Sequence, residues 1–308
     1  MALTSEIARP TGSPAGTIGV VGAGVMGRGL AQVLAEAGHN VVLTDISQQI
    51  LDAAREDIAR SIKLAMLMRR GPKTARPTDI LERIHATVDI GLLNSADFII
   101  ENTTEDWPIK QSVFSDLDRI ANPDCVIAAN TSAIPIAKLA GLLTNSSRVI
   151  GMHFMNPVPQ KELVEVIRGP ATSQATIDAA IGLLHGIGKQ AVLVNDSPGF
   201  VTNRVLMLAI NEAIAVVREG VASAADTDRI FVGCFAHAMG PLATADLIGL
   251  DTIKRSLDVL QDSFGETRFA PDPLLVDMVS AGHLGRKSGK GFFDYLVKGD
   301  ADGRPENN

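Results

Sequence analysis

The chain has 308 residues, with 28 Lys+Arg against 35 Asp+Glu, a formal charge of −7, 46% apolar and 4% aromatic content. At roughly 150 residues per domain this length suggests two domains, each able to bury a core without disulfide or metal staples. The acidic balance, with no long basic run, argues against nucleic acid as a partner, because phosphate binding needs clustered Lys and Arg.

The first sixteen residues, MALTSEIARPTGSPAG, hold no apolar run of the kind that drives export, and no later stretch approaches the roughly 20 apolar residues of a membrane span. Cys125 and Cys234 lie far apart and form no CxxC pair, so the expected setting is a reducing cytoplasm without disulfides or zinc. His39, His85, His185, His237 and His283 show no metal-ligand spacing.

Beyond a polar segment over 1–15, TIGVV (Thr17 to Val21) predicts a buried strand that runs into GAGVMG. Met26, Leu30, Val33, Leu34 and Ala37 then share one helical face, and Gly38 stands where a helix C′ residue belongs. NVVLTD (Asn40 to Asp45) predicts the second strand. Ser47 is placed to cap a long helix with Ile50, Leu51, Ala54, Ile58, Ile62 and Ala65 on one face, ended by Arg69, Arg70, Gly71 and Pro72. DFIIE (Asp97 to Glu101), CVIAAN (Cys125 to Asn130), RVIGMHF (Arg148 to Phe154), LVEVI (Leu163 to Ile167) and QAVLV (Gln190 to Val194) read as further strands, several of them separated by helical stretches. Apolar strands alternating with helices imply a doubly wound, mostly parallel sheet of the Rossmann-like α/β class. After Asp196 the strand pattern stops, and Phe200 to Arg218, Asp226 to Phe235, Ala243 to Asp262 and Pro273 to Ala281 read as helices. The expected division is an α/β domain over 16–195, a helical domain over 196–295 and a polar tail over 296–308.

Gly22-x-Gly24-x-x-Gly27 sits between a strand and a helix, and Asp45 ends the next strand 18 residues beyond Gly27. The glycines permit a tight turn and close backbone approach to a pyrophosphate, while the helix N-terminus offers N–H groups and positive dipole. Asp45 would accept bonds from an adenosine ribose and repel a 2′-phosphate, so NAD is the expected cofactor. A glycine turn serving packing alone is the competing reading.

His153 ends the apolar run of GMHFMNPVP and Glu165 follows 12 residues later in LVEVI. A returning segment would bring them together, and a carboxylate on one ring nitrogen fixes the tautomer and raises the basicity of the other, as removal of an alcohol proton requires. A core histidine bonded to a carbonyl, with Glu165 in solvent, is the alternative. Asn130-Thr131-Ser132 follows a strand at the carboxyl end of the sheet, where ligands of α/β proteins collect, although turn formation also explains it. Asn203 and Arg204 open the first helix of the second domain, where an amide could reach a substrate oxygen.

These residues carry a resemblance to the 3-hydroxyacyl-CoA dehydrogenase family, over about residues 16 to 295. The matching stretches are GVVGAGVMGRGLAQVLAEAGHNVVLTD, NTSAIPI, GMHFMNPVP with LVEVI, NDSPGFVTNRVL with NEAI, MGPLATADLIGLD and GRKSGKGFFDY. The resemblance implies NAD-dependent interconversion of (S)-3-hydroxyacyl and 3-ketoacyl thioesters, and a helical domain that forms a homodimer. It implies His153 as base, Glu165 as its carboxylate partner, and Ser132 and Asn203 as residues that hold the substrate oxygen. Glu105, Lys110, Asn156 and Lys287 match family positions near the cofactor, and Ser61, with Arg69 or Arg70, matches the region that meets coenzyme A.

The chain departs from the family pattern with NTSA for the frequent NTSS, with Trp107-Pro108 in ENTTEDWPIK, and with Met68 where a coenzyme A-binding lysine is common. MGPLATADLIGLDTI and RFAPDPLL also look similar to relatives that oxidise hydroxyacyl groups on an acyl carrier protein in polyketide extender-unit pathways. A non-catalytic NAD-binding protein is a second alternative, and a hydroxyacid dehydrogenase using a lysine is disfavoured because no lysine lies around Asn203.

Overall fold

The computed structural model describes residues 16–68 and 76–295. The polar segments 1–15 and 296–308, and Arg69 and Arg70, lie outside the described residues. The chain divides into two compact units, one through Asp196 and one from Ser197 onward.

In the first unit, β1 (Thr17–Val21), β2 (Asn40–Thr44), β3 (Ile84–Thr87), β4 (Phe98–Glu101), β5 (Val126–Ala129), β6 (Val149–His153), β7 (Leu163–Arg168) and β8 (Gln190–Asn195) form one sheet. Its order is β3-β2-β1-β4-β5-β6-β7-β8. Neighbours pair in parallel except β6 and β7, which run antiparallel. The order reverses at β1, with β2 on one side and β4 on the other, and such a switch point opens a crevice at the carboxyl ends of the two strands. Because β7 runs the other way, its first residues lie beside the carboxyl end of β6.

The helices of this unit are α1 (Val25–Glu36), α2 (Gln48–Met68), α3 (Pro77–Glu82), α4 (Trp107–Ile120), α5 (Ile136–Ala140) and α6 (Gln174–Gly186). The apolar face of α1 places Leu30 and Leu34 against a core with Val20, Val41, Leu43, Leu51 and Ile58, all nearly inaccessible to solvent. Each such side chain stabilises the fold by about 1.5–3 kcal/mol relative to exposure. Gly38, at a φ of +100°, terminates α1 as the sequence pattern implied. The strand β3 was not anticipated: of IHAT only Ile84 is buried, too little apolar content for a pattern to emerge.

The second unit is helical: α7 (Thr202–Arg218), α8 (Ala224–Phe235), α9 (Pro241–Ile248), α10 (Leu250–Phe264) and α11 (Pro273–Ser280). Its core joins Met207, Ile210, Ile214, Leu250, Ile253, Leu257, Leu260, Phe269 and Leu275. The single helix expected over Ala243 to Asp262 is two, α9 and α10, because Gly249 at a φ of +104° breaks the run. Asp246 of α9 holds the chain's last described segment by accepting Phe292 N–H at 3.0 Å, Phe293 N–H at 2.9 Å and Tyr295 O–H at 3.1 Å.

Candidate functional site

The turn from β1 into α1 needs glycine for two separate reasons. Gly22 has a φ of +91°, and a Cβ there would lie 2.9 Å from the Asn102 carbonyl oxygen. A Cβ on Gly27 would lie 1.7 Å from the Gly22 carbonyl oxygen, so the chain itself forbids a larger residue at either position. Gly24 is different: nothing lies within 4 Å of its missing Cβ. Gly24 is also the N-cap of α1, with no side-chain cap and no acidic residue in the first turn. The first N–H groups of a helix need partners, and an anion approaching over Gly24 supplies them.

Asp45, just past β2, is fixed beside this turn. Its Oδ2 accepts the Ala23 N–H at 2.7 Å and its Oδ1 accepts the Ile46 N–H at 2.8 Å. The nearby guanidinium of Arg28 is paired with Asp57 on α2. A carboxylate here suits ribose hydroxyls and opposes a 2′-phosphate. Glycine turn, bare helix start and carboxylate together fit NAD.

At the carboxyl end of β6 the antiparallel register sets His153 directly opposite Glu165 of β7. Directly opposed residues share one face of a sheet, and the two side chains meet with Nδ1 2.8 Å from Oε2. His153 and Glu165 are 5% and 4% exposed. The core histidine with a solvent-facing glutamate is therefore not what the fold builds. On the other side of the ring, Nε2 lies 3.2 Å from Ser132 Oγ.

Ser132 belongs to the loop between β5 and α5, and Glu105 organises that loop. Oε1 of Glu105 accepts from Thr131 Oγ1 at 2.5 Å and from the N–H groups of Ser132 at 3.2 Å, Ala133 at 3.0 Å and Ile134 at 3.4 Å. Successive N–H groups wrapped around one anionic oxygen form a backbone nest. An amide relay ties the strand ends together. Phe154 N–H donates to Asn130 Oδ1 at 3.1 Å, Asn130 Nδ2 donates to Asn102 Oδ1 at 2.7 Å, and Asn102 Nδ2 donates to the Ile100 carbonyl at 2.9 Å.

The other residues singled out by resemblance lie on several elements and connections of the two units, each in its own surroundings. Lys110 is wholly buried on α4 and paired with Glu101 of β4 at 2.7 Å. Asn156 is exposed in the connection from β6 to β7, joined to Pro157 by a cis peptide bond, and Ser61 is half-buried on α2. Asn203 is the second residue of α7, and Lys287 pairs with Asp251 of α10, both within the helical unit. Cys125 is buried, which pushes its thiol up to about 12 and makes it a poor nucleophile. Among the described residues, no group of three or more His, Cys, Asp and Glu side chains could hold a metal, and no helix is long and apolar enough to cross a membrane.

A switch-point crevice with a glycine turn on one side, and a histidine–carboxylate pair meeting a serine hydroxyl on the other, define a dinucleotide-dependent oxidoreductase of the Rossmann type. Comparison with known proteins narrows that class. Residues 17–197 match the model of the 3-hydroxyacyl-CoA dehydrogenase NAD-binding domain, and 199–295 match the C-terminal domain of the same family. A probable 3-hydroxybutyryl-CoA dehydrogenase of Deinococcus radiodurans is 45% identical over 277 residues, covering 90% of this chain and 99% of that protein. The 3-hydroxybutyryl-CoA dehydrogenase of Clostridioides difficile is 41% identical over 279 residues, covering 90% of this chain and 99% of its own. The crystal structure of (S)-3-hydroxybutyryl-CoA dehydrogenase PaaH1 from Ralstonia eutropha superposes with a TM-score of 0.87 at 40% identity, covering 91% of this chain and 99% of that one. The chain belongs to the 3-hydroxyacyl-CoA dehydrogenase family.

Proposed function

We propose that this protein interconverts short-chain (S)-3-hydroxyacyl-CoA and 3-ketoacyl-CoA, with 3-hydroxybutyryl-CoA as the expected substrate and NAD as the cofactor. The observation that carries this reading is the cross-strand His153–Glu165 pair, whose far ring nitrogen meets Ser132. Gly22, Gly24, Gly27 and Asp45 would hold the cofactor, with Asn156 as a further contact; the part given to Lys287 rests on the family resemblance alone. When bound, NAD supplies the two-electron acceptor for oxidation at the substrate's C3.

The protein's own part is proton handling and orientation. Nδ1–H of His153 donates to Glu165, which leaves Nε2 as the atom that takes the C3 hydroxyl proton. The Glu165 carboxylate then stabilises the imidazolium. In reduction His153 returns the proton, while the Ser132 hydroxyl polarises the 3-keto oxygen; the part given to Asn203 rests on the family resemblance alone. Glu105 keeps Ser132 in register from behind, and the Glu101–Lys110 pair fixes the turn that carries Glu105. Ser61, with Arg69 or Arg70, is assigned to the coenzyme A moiety.

The test is NADH formation from 3-hydroxybutyryl-CoA and NADH consumption with acetoacetyl-CoA, run beside His153→Ala. Turnover in both directions that the variant abolishes supports the assignment. Absence of wild-type turnover with either thioester, while NAD still binds, rejects coenzyme A thioesters as substrates.

A homodimer in the cytoplasm completes the proposal. Val232 and Phe235 of α8, one turn apart on the helix, are 45% and 64% exposed, an apolar strip suited to a second copy. Light scattering that returned only the monomer mass would reject this part.

A further inference from the structure

Lys189 is a buried cation that the mechanism above does not use. It is 6% exposed, and its Nζ donates to the carbonyls of Val158 and Lys161, each at 2.7 Å. Both carbonyls belong to the connection that leaves His153 and returns at Glu165. Within it, the N–H groups of Gln160 and Lys161 donate to the Pro157 carbonyl at 3.0 and 3.2 Å, closing one helical turn. A single turn ends in carbonyls without backbone partners, and a lysine at that end satisfies them with charge-assisted bonds.

The sheet does not hold this turn by itself. The β7–β8 pairing begins at Leu163 and Gln190, and Gln190 N–H reaches back only to the Glu162 carbonyl at 2.8 Å. In the β6–β7 ladder the pairs run Gly151 with Ile167, Met152 with Val166 and His153 with Glu165, so the catalytic pair is the last rung beside the connection. Terminal rungs fray unless the chain beyond them is fixed. Phe154 N–H is held by Asn130 Oδ1, and two contacts hold the turn further along. The Lys189 ammonium is one. The other is α1, where a Cβ on Gly29 would come within 3.0 Å of Val158 Cβ.

We propose that Lys189 is a positioning residue of the reaction: by holding the 157–161 turn it keeps the Glu165 carboxylate aligned with Nδ1 of His153. The inference rests on the dehydrogenase reading for its kinetic consequence, although its structural consequence can be measured without substrate. Glu165 is needed most where the imidazolium develops, so misalignment lowers kcat far more than it raises KM.

The experiment uses Lys189→Met, which keeps the stem and removes the donors. The expected result is a fall of at least tenfold in kcat for 3-hydroxybutyryl-CoA oxidation, with KM for the thioester changed less than threefold, well below the variant's melting temperature. In proton NMR, the downfield His153 Nδ1–H signal, assigned by its loss in His153→Gln, should broaden or move upfield in Lys189→Met. A kcat within twofold of wild type together with an unchanged signal overturns the proposal, whatever happens to Tm. If Lys189→Met does not fold, Lys189→Gln is judged by the same two criteria. Wild-type protein without turnover counts against the dehydrogenase reading alone, and the NMR comparison then decides the role of Lys189.

Discussion

At the carboxyl edge of the sheet, Glu101 at the end of β4 meets Lys110 at 2.7 Å, while Glu165 on β7 meets His153 at 2.8 Å. By distance and burial the two pairs are near equals, with all four side chains 7% exposed or less. They differ in what else they touch. Glu101 spends its second oxygen on the Thr103 N–H, at 2.6 Å, and hydroxyl, so that carboxylate is used up in closing the turn between β4 and α4. The His153 ring instead spans from Glu165 to Ser132, whose own loop is held by Glu105. The nitrogen partners differ as well: an ammonium offers only N–H donors, whereas an imidazole has a second ring nitrogen that can accept a proton while the first stays bonded to the carboxylate. A buried carboxylate contact thus points to chemistry only where the partner has a second nitrogen facing a hydroxyl.

That contrast is sharpest in the loss expected on removing each nitrogen partner. His153→Ala should lower kcat by about 10²–10⁴-fold, the range of general acid–base catalysis, with NAD affinity unchanged. A kinetic assay with a parallel NAD titration checks both halves. Lys110→Met leaves Glu101 buried and unpaired, which should cost about 3–5 kcal/mol of stability in denaturant unfolding. At temperatures well below its midpoint that variant should retain kcat within a few-fold, and a loss as deep as that of His153→Ala would collapse the distinction.

The cofactor turn supplies a milder comparison. Gly24→Ala should leave Tm unchanged, because its Cβ meets nothing, yet weaken NAD binding about tenfold by standing where an anion must approach. Gly27→Ala should fail to fold. Equal NAD affinity in Gly24→Ala and wild type, by isothermal titration, would mean that the turn serves packing only.

How much of this could be read from residues alone depended on whether the signal resided in side chains. The β1–α1–β2 segment was legible because apolar period, glycine spacing and Asp45 all point one way. His153 and Glu165 were legible as candidates, but their meeting required the antiparallel register of β6 and β7, and spacing alone does not fix a register. The break at Gly249 was hidden because one glycine inside an apolar helical pattern is usually tolerated. The Glu101–Lys110 pair spans the turn from a strand into a helix, where no periodic rule relates the two positions. Lys189 was illegible for another reason: its partners are the carbonyls of Val158 and Lys161, and a carbonyl carries no residue identity.

The smallest expected effect lies at the other end of β6, where no chemistry is assigned. Arg148, just before the strand, is buried and pairs with Asp118 of α4 at 3.0 Å, while Asp118 also accepts from Thr144 N–H at 3.0 Å and Thr144 hydroxyl at 2.7 Å. Burial raises the Asp118 carboxyl's pKa, but the Thr144 and Arg148 contacts outweigh it and hold the group below the ordinary carboxylate value. A carboxyl depressed in the folded state stabilises above its unfolded pKa, and that contribution disappears as pH falls through the folded one. Asp118→Asn should therefore lower Tm by about 2–4 °C at pH 7, the shift expected for roughly 1 kcal/mol. The gap between variant and wild type should narrow below about pH 4, where an aspartate protonates even when free, and close further down. Throughout, kcat should stay within twofold, because the far end of the strand is held by Glu165 and by the Asn130 amide rather than by Asp118. Scanning calorimetry across pH reads the first effect and the NADH assay the second. A pH-independent Tm difference would remove the ion pair as its cause, and a tenfold loss of kcat would show that β6 transmits strain from its structural end to His153.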